Sequence, residues 1–411
     1  MIDKMSELKF TIIIPTRERS DVLEATIKTV LAQDYQNLEI IISDNFSCDN
    51  TANIVANFKS DKIKYINTGK RVGMSQNWEF ALNHVTDGWV TIIGDDDGLL
   101  PSALTKVARI IAETGTQAIR SATCSYGWPG LNGAVYGRLG VPTKSGWVKR
   151  NSKKWTARVM MGKSSYTNLP VLYNGGFVDF DVLKTIKEKS GAYFLSMIPD
   201  VYMGFAIASV NPDYIYSFEP FAINGASRHS GGTSLLTTDG KSKNSPADKF
   251  YNEPNIPFHD ALPLTGNGKP VMSIQVMVYE SYLQSKHLRE TSEFEDHQYQ
   301  LALILALNNG MHQMSVDEWA KNFADLHGLK SYANFHNVFL KLILKLSIFS
   351  NRISALTNMH VMDGAQYPLL DVYDASIAAA AARNSNPSLG NRVLYLFHKL
   401  FQKLKSSCPK S

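Results

Sequence analysis

Three consecutive carboxylates, Asp95-Asp96-Asp97, follow directly on the apolar run Trp89-Val90-Thr91-Ile92-Ile93 and are bracketed by Gly94 and Gly98. A run of that kind predicts a buried strand, and the carboxyl end of a strand is where an open α/β sheet binds its ligands. Three like charges side by side each raise the cost of ionising the next, unless a cation or a set of donors offsets them. Oxygen-only ligands suit a hard ion such as Mg²⁺ or Mn²⁺, which typically divides its coordination between one or two carboxylates and substrate phosphates. The same tripeptide also fits a solvated turn ahead of a helix beginning near Pro101-Ser102.

The residues upstream supply the context. Phe10 to Ile14 is a β-favouring run broken by Pro15. After the polar loop Thr16-Arg17-Glu18-Arg19, Ser20 is placed to cap a helix whose apolar positions Val22, Leu23, Ile27, Val30 and Leu31 recur with helical period. Leu38 to Ser43 predicts a second strand, Thr51 to Phe58 a helix, Lys62 to Ile66 a third strand, Asn77 to Val85 a helix and Trp89 to Ile93 the fourth strand. Strands and helices in alternation imply a parallel sheet built of right-handed crossovers. From Thr123 to Leu169 no steady period holds, which predicts loops and edge strands. A helix is expected from Asp200 to Ala208, a loop or linker within Asn224 to Pro257, and mostly helix beyond Val271.

Charge is distributed unevenly. The net charge is +5, and the stretch Leu389 to Ser411 alone carries Arg392, Lys399, Lys403, Lys405 and Lys410 with no acidic residue, so the rest of the chain is neutral. That pattern argues against nucleic acid as a partner and directs attention to the tail. Asn391 to Lys405 sets Val393, Leu394, Leu396, Phe397, Leu400, Phe401 and Leu404 on one side of a helix and Arg392, Lys399 and Lys403 on the other. A basic amphipathic helix of this kind suits either an anionic membrane surface or a protein partner. Peripheral membrane contact through residues 389–405 is therefore one expectation. Val338 to Phe349 is more apolar and suits helix packing. Cys48, Cys124 and Cys408 are odd in number and lie in no metal-ligand spacing, which fits a reducing cytoplasm. The short apolar run after Lys9 lacks a signal-peptide pattern, and no apolar run reaches membrane-spanning length.

In order, Phe10-Thr11-Ile12-Ile13-Ile14-Pro15-Thr16-Arg17, Val30-Leu31-Ala32-Gln33-Asp34-Tyr35, Leu38 to Asn45 with Asp49-Asn50-Thr51, and the Asp triplet with Leu99 and Pro101 resemble a family 2 glycosyltransferase of GT-A fold. The likeness is close over the first quarter and extends to about residue 235. It implies an α/β GT-A domain of mostly parallel sheet over 8–240, to which the sequence pattern adds a linker over 241–270 and a mainly helical C-terminal region over 271–411. It further implies an inverting transfer of sugar from a nucleotide-diphosphate sugar, a UDP-sugar foremost, to a hydroxyl of a glycan or lipid-linked acceptor, with Mn²⁺ or Mg²⁺ as cofactor.

The resemblance also assigns residues. Pro15, Thr16, Arg17 and Glu18 fall in the nucleoside-binding loop, Asp44 at the base and Arg71 near the nucleotide. Gly94 stands where many relatives carry an aspartate, which shifts the burden to Asp95 as ribose or metal contact, Asp96 as metal ligand and Asp97 as a further metal ligand. His229, in Arg228-His229-Ser230-Gly231-Gly232, matches a late loop that approaches metal or diphosphate. Asp200, in Ile198-Pro199-Asp200-Val201-Tyr202, matches the base that deprotonates the acceptor. An acid after Pro at a helix start is also what the helix dipole favours by itself. Two other readings compete. A nucleotidyltransferase would share the fold and acids, although Pro15 to Arg19 lacks the glycines of its phosphate loop, and a non-catalytic GT-A-like scaffold would need only the shape.

Overall fold

The computed structural model describes residues 7–131, 137–228, 253–262, 273–305, 313–334, 358–364, 367 and 369–384. Strands β1 (Phe10–Thr16), β2 (Leu38–Asp44), β3 (Ile63–Asn67) and β4 (Trp89–Ile92) alternate with helices α1 (Ser20–Leu31), α2 (Thr51–Asn57) and α3 (Met74–Leu82). They form the parallel half of the sheet in the order β4-β1-β2-β3. Successive isoleucines explain why these strands are apolar throughout. Ile12, Ile14, Ile40 and Ile42 point into a layer with Leu23, Ile27 and Leu104. Ile13 and Ile41 point the opposite way, against Trp78, Leu82 and Ile207. A sheet covered on both faces needs apolar side chains at both parities.

Beyond β4, antiparallel strands join the mostly parallel sheet. After the two-residue β5 (Gly98–Leu99) and α4 (Ala103–Thr114) come β6 (Ala118–Gly127), β7 (Arg138–Pro142), β8 (Trp147–Asn151), α5 (Ser152–Met160), β9 (Gly176–Asp179) and α6 (Phe180–Ser190). Then follow α7 (Pro199–Val210) and β10 (Asp213–Ala226). β9 inserts antiparallel between β4 and β6, whereas β10 runs parallel to β6 and antiparallel to β5 and β8. Helix α5 lies where only loops and edge strands were expected. Three lysine and arginine residues on its solvated side obscure the period, and its start is fixed by Asn151 Oδ1, which accepts from Lys154 N at 2.9 Å.

Ends of other elements also differ from expectation. Ser20 opens α1 but does not cap it; its own N–H donates to Asp49 Oδ2 at 2.9 Å, so the loop after β2 caps the helix instead. Helix α3 begins three residues early, where Gln76 Oε1 accepts from Gly73 N at 2.9 Å. Ser102 precedes α4 at φ +58° and donates to Asp34 Oδ2 rather than capping.

Helix α7 is apolar on every side because two layers enclose it. Tyr202, Met203 and Ile207 meet the sheet layer, and Val201 and Phe205 meet Val276, Tyr279 and Tyr282 of α8 (Ile274–Gln284). Helices α9 (Glu293–Leu305) and α10 (Gln313–Leu326) continue that layer. A strand, β11 (Met359–Asp363), interrupts the stretch expected to be helical and pairs antiparallel with β7. Helix α11 (Val372–Asn384) packs Val372, Ala375 and Ala379 against Val22, Leu100 and Leu139 of the sheet's edge. The segments Val338 to Phe349 and 389–405 lie outside the described residues, and none of the described helices is long and apolar enough to cross a membrane.

Candidate active site

The parallel register sets Thr16 beside Asp44 at the carboxyl ends of β1 and β2. The chain leaving β4 brings Asp95, Asp96 and Asp97 to the same rim, all three buried. Asp95 is held between two elements. Its Oδ2 accepts from Thr16 Oγ1 at 2.8 Å and its Oδ1 from Arg19 Nη1 at 2.8 Å. Asp96 Oδ2 accepts from Ser227 Oγ at 2.6 Å and from Ser227 N at 3.2 Å.

Asp97 is engaged entirely by the protein. Its Oδ2 accepts from Gly94 N and Tyr173 Oη, each at 2.7 Å, and its Oδ1 from Gly225 N at 2.7 Å. That network accounts for Gly94. A Cβ there would lie 2.8 Å from both Asp97 Oδ2 and Tyr173 Oη, so this chain trades a first acidic side chain for a turn locked by Asp97.

Burial works against ionisation at Asp95 and Asp97. It raises Asp95, with the nearby Arg19 charge pulling the other way and Asp96 adding to the rise. It raises Asp97 to about 7, helped by repulsion from Asp96 and opposed by the three hydrogen bonds. Arg19 is partly desolvated, yet Asp95 and Asp96 hold it firmly in the charged form. The Arg19 guanidinium therefore stands beside two carboxylates and is attracted by both.

Asp44 sits one strand away and accepts from Tyr65 Oη at 2.5 Å and Asn67 Nδ2 at 3.0 Å on Oδ2, and from Ser47 N at 3.0 Å on Oδ1. The last contact, from an N–H three residues on, ties down the start of the loop after β2. Around the rim, Pro15 is the penultimate residue of β1, paired in register with Ser43. Glu18, at φ +53°, receives Arg71 Nη2 at 2.8 Å in a half-exposed ion pair. Arg17 reaches across to Glu253, with Nη1 2.8 Å from each carboxylate oxygen. His229 lies outside the described residues.

Asp200 occupies the second position of α7, behind Pro199. Its Oδ2 accepts from Tyr166 Oη at 3.1 Å. Burial raises its carboxyl, while that hydrogen bond, the Val201 N–H and the Arg120 charge draw it back. Asp200 and Tyr173 line one cavity of about 490 Å³. Because Tyr173 Oη also contacts Asp97, the cavity adjoins the acid triplet across a single ring. A second hollow, of about 470 Å³, lies among the surface lysines Lys184 and Lys187 and touches none of these residues.

The structure thus gathers Thr16, Asp95 and Asp96 at one point, keeps Asp44 alongside, and sets Asp200 across Tyr173. Arg17, Glu18 and Arg71 form the outer rim, each already in an ion pair. Sequence reasoning gave no role to Arg19, Ser227 or Tyr173. Arg19 carried a signal in its place in the loop after β1, and Ser227 in its place beside Arg228-His229; nothing local marks Tyr173, which a separate strand brings in.

Among the described residues no three His, Cys, Asp or Glu side chains converge as a self-contained metal site. Asp95 and Asp96 nonetheless fit a hard divalent ion that completes its shell with phosphate oxygens. Their donors are carboxylate oxygens, buried and adjacent, at the carboxyl end of a strand.

Residues 11–158 match the model described as Glycosyl transferase family 2. Among curated proteins, the chain is 39% identical over 99 residues to the GalNAc(5)-diNAcBac-PP-undecaprenol beta-1,3-glucosyltransferase of Campylobacter jejuni, covering 23% of this chain and 32% of that protein. It is 28% identical over 93 residues to WfgD of Escherichia coli, a UDP-Glc:alpha-D-GlcNAc-diphosphoundecaprenol beta-1,3-glucosyltransferase, covering 23% and 37% respectively. The chain spans about a third of the length of these relatives. Among solved structures, residues 1–349 of TarS from S. aureus in complex with UDP-GlcNAc align at a TM-score of 0.48 and 15% identity, over 80% of this chain and 88% of that one.

Proposed function

Residues 11–158 form a family 2 glycosyltransferase domain, and from that premise we propose that the chain transfers a sugar from a nucleotide-diphosphate sugar to a hydroxyl of a glycan or lipid-linked acceptor. The observation that carries the proposal is the meeting of Thr16 and Arg19 with Asp95, next to Asp96, at the carboxyl ends of parallel strands. Buried, adjacent acids there suit a ligand that arrives with a divalent ion, as a nucleotide diphosphate does.

In this reading Asp44 and the Pro15-to-Glu18 loop hold the nucleoside, Arg71 and Arg17 border it, and Asp95 contacts ribose or metal. Asp96 holds Mn²⁺ or Mg²⁺, with Asp97 supporting the turn and His229 as a further ligand in this reading. The ion, when bound, offsets charge on the departing diphosphate. Asp200 accepts the proton of the acceptor hydroxyl, which attacks the anomeric carbon from the face opposite the diphosphate and inverts it. Tyr166 keeps one oxygen of Asp200 in a fixed direction. The relatives' names mention UDP-Glc and undecaprenol-linked diphosphates, which supports a UDP-sugar donor and a lipid-linked acceptor for this chain as well. A site on the cytoplasmic face, with the basic segment 389–405 against the membrane, would bring the enzyme to such an acceptor.

The test is a thermal-shift panel of UDP, GDP and dTDP with and without Mn²⁺, on the wild type and on Asp96→Ala. A ligand that binds the folded state raises its apparent stability. Stabilisation by UDP that requires Mn²⁺ and vanishes in Asp96→Ala is expected; equal stabilisation without metal, or in the variant, overturns the site.

A further inference from the structure

Asp200 opens into the 490 Å³ cavity, and its walls are unlike those of the nucleotide rim. Among the described residues Arg120 and Asp200 are the only Asp, Glu, Lys or Arg in the lining. Everything else there is neutral, and most of it is polar, with Tyr166, Asn174, Tyr216 and Asn224 prominent. The two charges cancel, and the Arg120 charge acts on the Asp200 carboxyl.

Arg120 is buried in an unusual way. Its Nε donates to Thr167 O at 2.7 Å, and its Nη1 donates to Tyr173 O and Asn174 O, each at 2.8 Å. These bonds fix the plane of the guanidinium, and its Nη2 has no hydrogen-bond partner among the described residues. Asn174 is 3% exposed, and its Nδ2 donates to Asn224 Oδ1 at 2.9 Å. Its own Oδ1, although buried, has no hydrogen-bond partner. A donor and a buried acceptor are thus left over at the cavity, and an acceptor buried like Asn174 Oδ1 is unfavourable until a ligand satisfies it. A ring bearing several hydroxyls satisfies both and presents one more hydroxyl to Asp200. Tyrosine rings in the wall suit the apolar face of such a ring.

We propose that this cavity is the acceptor-sugar subsite and selects an uncharged sugar ring, with Arg120 and Asn174 reading its hydroxyls while Asp200 faces the one that reacts. A uronate or phosphorylated ring meets Asp200 inside the same small space, and a cationic amino sugar meets Arg120. Charge of either sign is disfavoured by the balance of the walls. The inference rests on the assignment of Asp200 as the base but not on the identity of the nucleotide.

Saturation-transfer NMR on the full chain tests it with three probes: methyl β-D-N-acetylglucosaminide, methyl β-D-glucuronide and methyl β-D-glucosaminide. The wild type should favour the neutral glycoside by ~tenfold over either charged one, a difference of about 1.4 kcal/mol. Asn224→Asp keeps the oxygen that accepts from Asn174 and shifts the wall charge to −1, so the cationic glucosaminide should gain on the neutral probe. Arg120→Lys should weaken the neutral probe by removing the fixed fork. Transfer to no probe, glucuronide binding as well as the neutral ring, or an unchanged ranking in Asn224→Asp overturns the subsite. Loss of the Mn²⁺-dependent UDP shift in the wild type would instead strike the nucleotide assignment, and the two failures are read from separate experiments.

Discussion

Arg19 Nη1 stands 2.8 Å from Asp95 Oδ1 and is the only cation paired directly with the acid triplet among the described residues. Removing one partner of such a pair leaves the other buried and uncompensated, at a cost of about 3–5 kcal/mol. Arg19→Ala should therefore destabilise the metal-free protein, with Asp95 pushed still further towards its protonated form. Mn²⁺ should restore part of the loss, because a divalent ion supplies the missing positive charge. Thermal unfolding with and without Mn²⁺ measures both effects. A variant as stable as the wild type, or one that Mn²⁺ leaves untouched, would contradict the role given to Asp95 and Asp96.

Gly225 shows how closely β10 approaches the acids. A Cβ there would lie 1.7 Å from the Asp96 carbonyl oxygen, a backbone atom with no freedom to retreat, while Gly225 N donates to Asp97 Oδ1. Gly225→Ala should cost more than about 3 kcal/mol and abolish Mn²⁺-dependent UDP binding together with the fold of the rim. Gly94→Ala meets only side-chain oxygens, at 2.8 Å, and should be the milder of the two. Denaturant unfolding ranks them; equal stability of Gly225→Ala and wild type would refute the crossing.

What the sequence disclosed and what it withheld divide along a physical line. β1, β2 and β4 carry continuous apolar runs because both faces of the sheet are covered, so their positions, and that of Asp95-Asp96-Asp97 at a strand end, follow from local pattern. The antiparallel insertion of β9 between β4 and β6 does not, since a four-residue strand leaves hardly any period to read. Tyr173 and Ser227 reach the site through that insertion and through β10, and Arg120 stands on β6 beside them, so their roles depend on contacts 47 to 131 residues apart in the chain. Helix α5 was hidden for a different reason, as its solvated face is lysine-rich and only Val159 and Met160 are apolar and buried. Caps were the least legible feature, because Asp49, a residue of another loop, caps α1 in place of the neighbouring Ser20.

Arg17 is committed to Glu253, a contact across 236 residues that holds the segment 253–262 against the nucleotide rim. Both side chains are partly exposed, at 31% and 23%, so the pair is worth at most about 1 kcal/mol. A diphosphate that recruits Arg17 must break it. Glu253→Gln should accordingly tighten UDP binding in Mn²⁺ by up to about fivefold, and Arg17→Ala should weaken it. Isothermal titration of both variants decides; weaker binding by Glu253→Gln would show that Glu253 helps the ligand rather than competing with it.

Glu280 connects the helical layer to the proposed base. It is fully buried on α8, where Oε2 accepts from Ser196 Oγ at 2.5 Å and Oε1 from Gln284 Nε2 at 2.9 Å. Ser196 Oγ in turn accepts from Ile198 N at 3.2 Å, two residues ahead of Asp200. Burial raises the Glu280 carboxyl above its ordinary value of 4.5, partly offset by these bonds. The folded protein thus binds that proton more tightly than the unfolded chain does. Its contribution to stability is complete below about pH 4.5 and is lost as pH rises through the raised value. Glu280→Gln carries no charge and escapes that loss while retaining a side-chain oxygen for Ser196. Its unfolding temperature should run at or below that of the wild type near pH 4 and gain on it towards pH 8. Parallel curves across that range would mean that the Ser196 and Gln284 hydrogen bonds already balance the desolvation of the carboxylate, and that the start of α7 owes nothing to its protonation.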